Sequence, residues 1–215
     1  MRSLGRAALG VAAVCLMSAC AGGLRSAAVP AQIYVLRPAP ATATQAVNVS
    51  PIAATLRIVQ PEPGPGLDSD RIVLVRSDRR MNFYAASRWP ADLPEMVEAL
   101  IVEAFRDGGA WAAVHDSRSP FQADYFLETS IRNFEADYTG GGESPEVRVR
   151  MDCALGRTLD REVVATFTVE GTATAAANRM SDVVAAFERA AGAALAQLTE
   201  RAAAAVRTST VQSTP

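Results

Sequence analysis

Three long segments, at about Tyr125 to Asp137, Glu146 to Leu155 and Glu162 to Thr174, carry the pattern that most restricts the fold. The last two alternate apolar and polar residues cleanly. A period of two puts alternate side chains on opposite faces of a strand, so these segments predict a sheet with one covered face. In the last, Val163, Ala165, Phe167 and Val169 face one way, and Val164, Thr166, Thr168 and Glu170 face the other. The connections are short and polar, Gly140-Gly141-Gly142 among them, which predicts an antiparallel meander. Cys153 falls on the apolar side of Val147-x-Val149-x-Met151-x-Cys153-x-Leu155 and reads as a small core residue.

Two amphipathic helices supply the cover. In the first, Leu93, Met96, Val97, Leu100, Ile101, Ala104 and Phe105 recur at steps of three and four. Asp92 with Glu95 predicts a capping box, Pro94 falls in the first turn, and Gly108-Gly109 forms the stop. The second runs from about Asn178 to Ala205, with Met180, Val183, Val184, Phe187, Ala191, Leu195 and Leu198 on one stripe. Its many alanines favour helix and permit close packing. Shorter strands are predicted at Gln32 to Arg37, stopped by Pro38, at Ala54 to Gln60, at Arg71 to Arg76 and at Met81 to Trp89. The stretch PEPGPGLDSD between them is a loop. Trp111 to His115 returns as a strand after the first helix, which predicts a β-α-β crossover. The fold class is α+β, a mixed, largely antiparallel sheet with the two helices packed on one face.

The chain begins MRSLGRAALGVAAVCLMSAC. Arg2 and Arg6 form a positive n-region, and Ala7 to Met17 is an apolar stretch too short to span a bilayer. The ending Met17-Ser18-Ala19-Cys20 resembles the bacterial lipobox, in which the cysteine sulfur receives a diacylglyceryl group and becomes the first mature residue. Cys15 fits less well, because bulky Val14 would stand at the cleavage position. The expected organisation is a signal peptide over residues 1–19, a lipidated tether over 20–31, one domain over 32–205 and a polar, disordered tail over 206–215.

Composition narrows the function. Formal charge is −2, and loss of Arg2 and Arg6 with the signal leaves −4, which offers no basic face to nucleic acid. All 21 basic residues are Arg, so Schiff-base chemistry through lysine is excluded. With Cys15 removed and Cys20 lipidated, Cys153 is the one free thiol and no internal disulfide can form. His115, the single histidine, has no second histidine with which to build a zinc site. No phosphate-binding loop or nucleophile elbow is present. Asp124, Glu128, Glu135 and Asp137 are spread along one strand without marking an acid–base pair. The expectation is a protein without a catalytic, metal or cofactor site.

The order of features resembles the ABC-type transport auxiliary lipoproteins, the family that includes the lipoprotein of the paraquat-inducible lipid transport operon. The matching passages are Tyr34-Val35-Leu36-Arg37-Pro38, then RIVLVRSDRRMNFYAASRWPADLPEMVEALIVEAFRDGGAWAAV at 71–114. Asp124-Tyr125-x-Leu127, Phe134-Glu135-Ala136-x-Tyr138 and VVAAFERA at 183–190 complete them. The resemblance implies a non-catalytic, lipid-anchored subunit facing the periplasm. Its implied partners are an ATPase, a permease and a periplasmic protein with a mammalian-cell-entry (MCE) domain, which together move lipids or other hydrophobic molecules between membranes. A homo-oligomer is compatible with it. Ala21 is not the Asp that signals retention at the inner membrane, so anchoring at the outer membrane is expected.

Tyr84, Arg88 and Trp89 are the candidate partner surface, since Tyr, Arg and Trp are the common interface anchors. Trp89 has a second reading, as a cap on the core just before the helix. Two rival functions stay open: a lipoprotein that itself carries a lipophilic ligand between helices and sheet, and an outer-membrane assembly lipoprotein similar to the one that plugs the lipopolysaccharide export barrel.

Overall fold

The computed structural model describes residues 30–38 and 51–212, with side chains to residue 209. The chain divides into two units, Met1–Pro30 and Ala31–Pro215, and every element belongs to the second. The signal peptide and Cys20 lie outside the described residues.

The element order is β1 Gln32–Ile33, β2 Ile52–Ile58, β3 Glu62–Pro63, β4 Arg71–Val75, β5 Met81–Arg88, α1 Leu93–Asp107, β6 Trp111–His115, β7 Tyr125–Asp137, β8 Glu146–Arg157, β9 Val163–Thr174 and α2 Met180–Gln212. Nine strands make one mixed, mostly antiparallel sheet. β7 is its spine. One edge of β7 pairs along its whole length with antiparallel β8, which pairs with antiparallel β9. The other edge is shared by three short parallel strands in succession, β2 at Tyr125 to Leu127, β3 at Ser130 to Ile131 and β4 at Glu135 to Asp137. β6 extends the sheet beyond β2, and β5 then β1 extend it beyond β4.

The alternation places the core as expected. Leu127, Ile131, Val147, Val149, Met151, Leu155 and Val169 are all buried on the inner face, with Cys153 among them. Helix α2 lies on that face, and its approach is set by Gly171: a Cβ there would stand 2.0 Å from the Ala190 carbonyl oxygen. Ala186, Ala190, Ala194 and Ala202 are fully buried, so small side chains on both surfaces let the backbones close together. The same helix covers the free edge of β9. The Gln197 amide exchanges hydrogen bonds with the Glu170 backbone, Arg201 donates to the Thr168 carbonyl, and Arg189 donates to the Thr174 carbonyl. These contacts close the Thr168–Thr174 part of the edge to a foreign strand.

Four expectations change. Strand β5 is antiparallel to β4, whereas β4, β7, β2 and β6 all run the same way, so β5 and β6 are antiparallel and four strands apart. Helix α1 therefore spans the sheet from one wing to the other and is no β-α-β crossover. The capping box does not form: Asp92 makes no side-chain cap, and Glu95 instead pairs with Arg118 at 2.7 Å. Helix α2 continues through Gln212, beyond the residue 205 expected from sequence, because Ala203 and Val206 remain buried. The loop after β2 contributes β3 and buries Leu67, although its Pro and Gly content reads as pure connection.

Candidate partner-docking surfaces

The three residues singled out as a partner surface are separated by the fold. Trp89 is 2% exposed and packs edge-on against Phe134 and Phe187, with ring centroids 6.1 and 5.3 Å away. It is a core residue, which corrects its reading as an interface anchor. Tyr84 sits where β5 bulges against β4, between the pairs Arg71↔Arg88 and Val73↔Phe83. A bulge redirects a side chain, and here the Tyr84 hydroxyl lies 2.9 Å from that of Tyr138, which donates to Asn178 Oδ1 at 2.7 Å. This relay ties β5 and the end of β7 to the approach to α2. Burial and the Tyr138 hydrogen bond push the Tyr84 phenol well above its ordinary range. Arg88 alone of the three keeps its head largely in solvent, 52% exposed, paired with Asp70 at 2.9 Å.

The chemistry-bearing residues have structural partners. Cys153 is buried, and desolvation pushes its thiol up to about 12, which removes it as a nucleophile at neutral pH. His115 lies beside the Phe121 ring at 5.6 Å. The Asp124 carboxylate accepts from the Thr55 backbone and hydroxyl, both at 2.8 Å, and these bonds hold it below the usual carboxylate range. Burial raises Glu135, which accepts from Asn133 at 2.8 Å. A hollow of about 360 Å³ beside α1 is lined by Glu95, Glu98, Arg106 and Arg118. Its groups bond to one another or to backbone: Glu98 accepts from the Ser117 N–H at 2.7 Å, and Arg106 donates to the Val114 carbonyl at 3.0 Å. Among the described residues, no group of three or more His, Cys, Asp or Glu converges as metal ligands.

Sequence reading missed a different feature. Phe121 is 66% exposed, Leu159 92% and Val163 59%. All three lie at the Tyr125 end of the meander, where the Thr158 N–H donates to the Asp124 carbonyl and Val163 pairs with Gly156. A register shift between Leu155 and Gly156 sets Val163 opposite Gly156 and takes it out of the core-facing row of Ala165, Phe167 and Val169. Leu159 sits in a polar turn, and an apolar side chain there was the available signal. Phe121 and Leu159 stand on connecting segments and Val163 at a strand start, so three exposed apolar side chains share one end of the meander.

The profile of the family described as "ABC-type transport auxiliary lipoprotein component" matches residues 34–203. The chain belongs to this family. It is a family of auxiliary transport lipoproteins and not a known enzyme family. The fold is similar to that of protein XCC0632 from Xanthomonas campestris, with a TM-score of 0.70 and 26% identity over 83% of this chain and 99% of that one. An uncharacterized protein of solved structure is 13% identical, with a TM-score of 0.63 over 80% of this chain and 99% of that one. PelC from Paraburkholderia phytofirmans, a dodecamer in its crystal, is 18% identical with a TM-score of 0.41, covering 70% of this chain and 93% of that one. That likeness is too distant to bear on assembly here. No curated protein matches the sequence.

Proposed function

We propose that this ABC transport auxiliary lipoprotein is a non-catalytic subunit, anchored through Cys20 to the outer membrane and facing the periplasm. It acts by docking to the MCE-domain protein of its transporter, in a system that moves lipids or other hydrophobic molecules between the two membranes. The family match over 34–203 carries the auxiliary role. The exposed Phe121, Leu159 and Val163 support docking and are the proposed contact, with Arg88 as a polar contact elsewhere on the domain. Filled packing speaks against the carrier reading. Leu56, Ile58, Ile101, Leu127, Ile131 and Leu198 are fully buried between helices and sheet, where a ligand would have to lie.

Anchoring follows from acyl chemistry, since each buried CH₂ contributes about 0.8 kcal/mol and several chains hold essentially irreversibly. A clickable palmitate analogue should label the wild-type chain and leave Cys20→Ser unlabelled. Pull-down of the palmitate-bearing chain from solubilised membranes should bring the MCE protein with it. Recovery of an export barrel in its place would transfer the chain to the assembly reading, and co-purified stoichiometric lipid would favour a carrier.

A further inference from the structure

The turn joining β4 to β5 reads Arg76-Ser77-Asp78-Arg79-Arg80 and is exposed throughout. Arg80 pairs with Asp78 at 2.6 Å, whereas Arg76 and Arg79 make no side-chain hydrogen bond or ion pair among the described residues. Three arginines against one aspartate leave the turn positive, on a chain whose formal charge is negative. Met81, next along the chain, is 44% exposed. Arg76 and Ser77 also line a hollow of about 270 Å³ with Leu74 and Tyr138, one cation and two hydroxyls beside an apolar wall. Arginine beside exposed methionine at a hairpin tip suits the boundary between phosphates and acyl chains.

The direction of β1 relates this tip to the tether. β1 is parallel to β5, with Gln32 opposite Ser87 and Ile33 opposite Arg88. Its first residue therefore points back along β5 toward Met81, and the chain enters the domain from the side of the β4–β5 turn. The rise of a strand puts Met81 about 20 Å beyond the Gln32 level. The eleven Cα–Cα steps from Cys20 to Ala31 can span at most about 40 Å. An anchor on that leash keeps the tip within reach of the bilayer. At such effective concentration, a contact that is only weak in the free chain suffices to orient the domain.

We infer that the Arg76–Met81 hairpin tip is a membrane-contacting element that engages phosphate groups of anionic phospholipids in the anchoring leaflet. The domain then stands with Phe121, Leu159 and Val163, at the opposite end of β7, directed away from the bilayer. This inference rests on the lipid-anchor reading, and it adds an orientation that the anchor alone does not impose.

Two measurements test it with the whole chain. In the first, the lipidated protein is reconstituted in vesicles of phosphatidylcholine with or without phosphatidylglycerol, with a trace of headgroup spin label. A fluorophore is placed on Asn82→Cys or on Leu159→Cys; buried Cys153, with its raised thiol, does not compete for label. Quenching at 82 should exceed quenching at 159 in phosphatidylglycerol vesicles, and the difference should vanish in the Arg76→Gln/Arg79→Gln variant. Equal quenching at both sites, or a difference unmoved by the double substitution, would overturn the inference. So would quenching at 82 that changes only when an acidic partner protein is added. The second measurement uses the Cys20→Ser chain and sedimentation with the same vesicles at low salt, so it reads the hairpin whether or not Cys20 is acylated. Arginines near an anionic surface contribute about 1 kcal/mol each, so the double substitution should weaken partition roughly thirty-fold. Unchanged partition would refute the contact while leaving the anchor intact.

Discussion

Trp89 and Arg88 are adjacent, yet they belong to different parts of the energetics. Trp89→Ala would empty a site bounded by Phe134 and Phe187, and chemical denaturation should show a loss of about 3–5 kcal/mol. Arg88→Ala removes a solvent-screened pair with Asp70 and should cost less than about 1 kcal/mol. Sequence could not separate the two, because aromatic and arginine residues beside a helix start serve cores and interfaces alike. Burial of the indole follows from Phe187, which comes from α2, about a hundred residues later in the chain. Cys153 was legible because its row of alternating neighbours is local.

At the scale of elements, the meander could be read because its information lies within each strand. Of the short strands, β2, β4 and β5 were legible as strands but their places were not, since β2, β3 and β4 share one edge of β7, a tertiary fact without local signal. The crossover expectation failed for the same reason: a helix between two strands does not say where each strand pairs. Contact between α2 and β9 gives a sharp prediction. Gly171→Ala drives a Cβ toward the Ala190 backbone, which has no side chain to swing aside, so a loss of about 2–3 kcal/mol is expected in thermal or urea unfolding. The bond between β2 and the entry to β7 is pH-sensitive. Asp124 is held below its ordinary value by Thr55, so its contribution is complete above the unfolded carboxyl value near 4 and is lost as pH falls through the depressed folded value. Asp124→Asn should therefore lower stability at neutral pH and flatten its decline below about pH 4, as measured by urea midpoints across an acid series.

Over the whole molecule, the parts divide by end and by layer. The layer between helices and sheet is packed with fully buried side chains, and α2 covers the β9 edge at Thr168, Glu170 and Thr174. The exposed apolar residues fall in two places, Phe121, Leu159 and Val163 near Tyr125 and Ile33, Val35 and Met81 on β1, its continuation and the start of β5. The loops near Tyr125 were the least legible part of the site, because Phe121 and Leu159 stand outside any periodic segment and their exposure depends on what the helices leave uncovered. The proposed docking to an MCE-domain protein takes place at the Phe121–Leu159–Val163 end. Titration of the purified MCE-domain protein against the full chain and its Leu159→Asp variant tests it most directly, with melting temperature followed in parallel. The wild type should bind saturably and the variant should lose about 2 kcal/mol or more, with an unchanged melting temperature. Equal affinity for both chains, or no binding by the wild type, would contradict it.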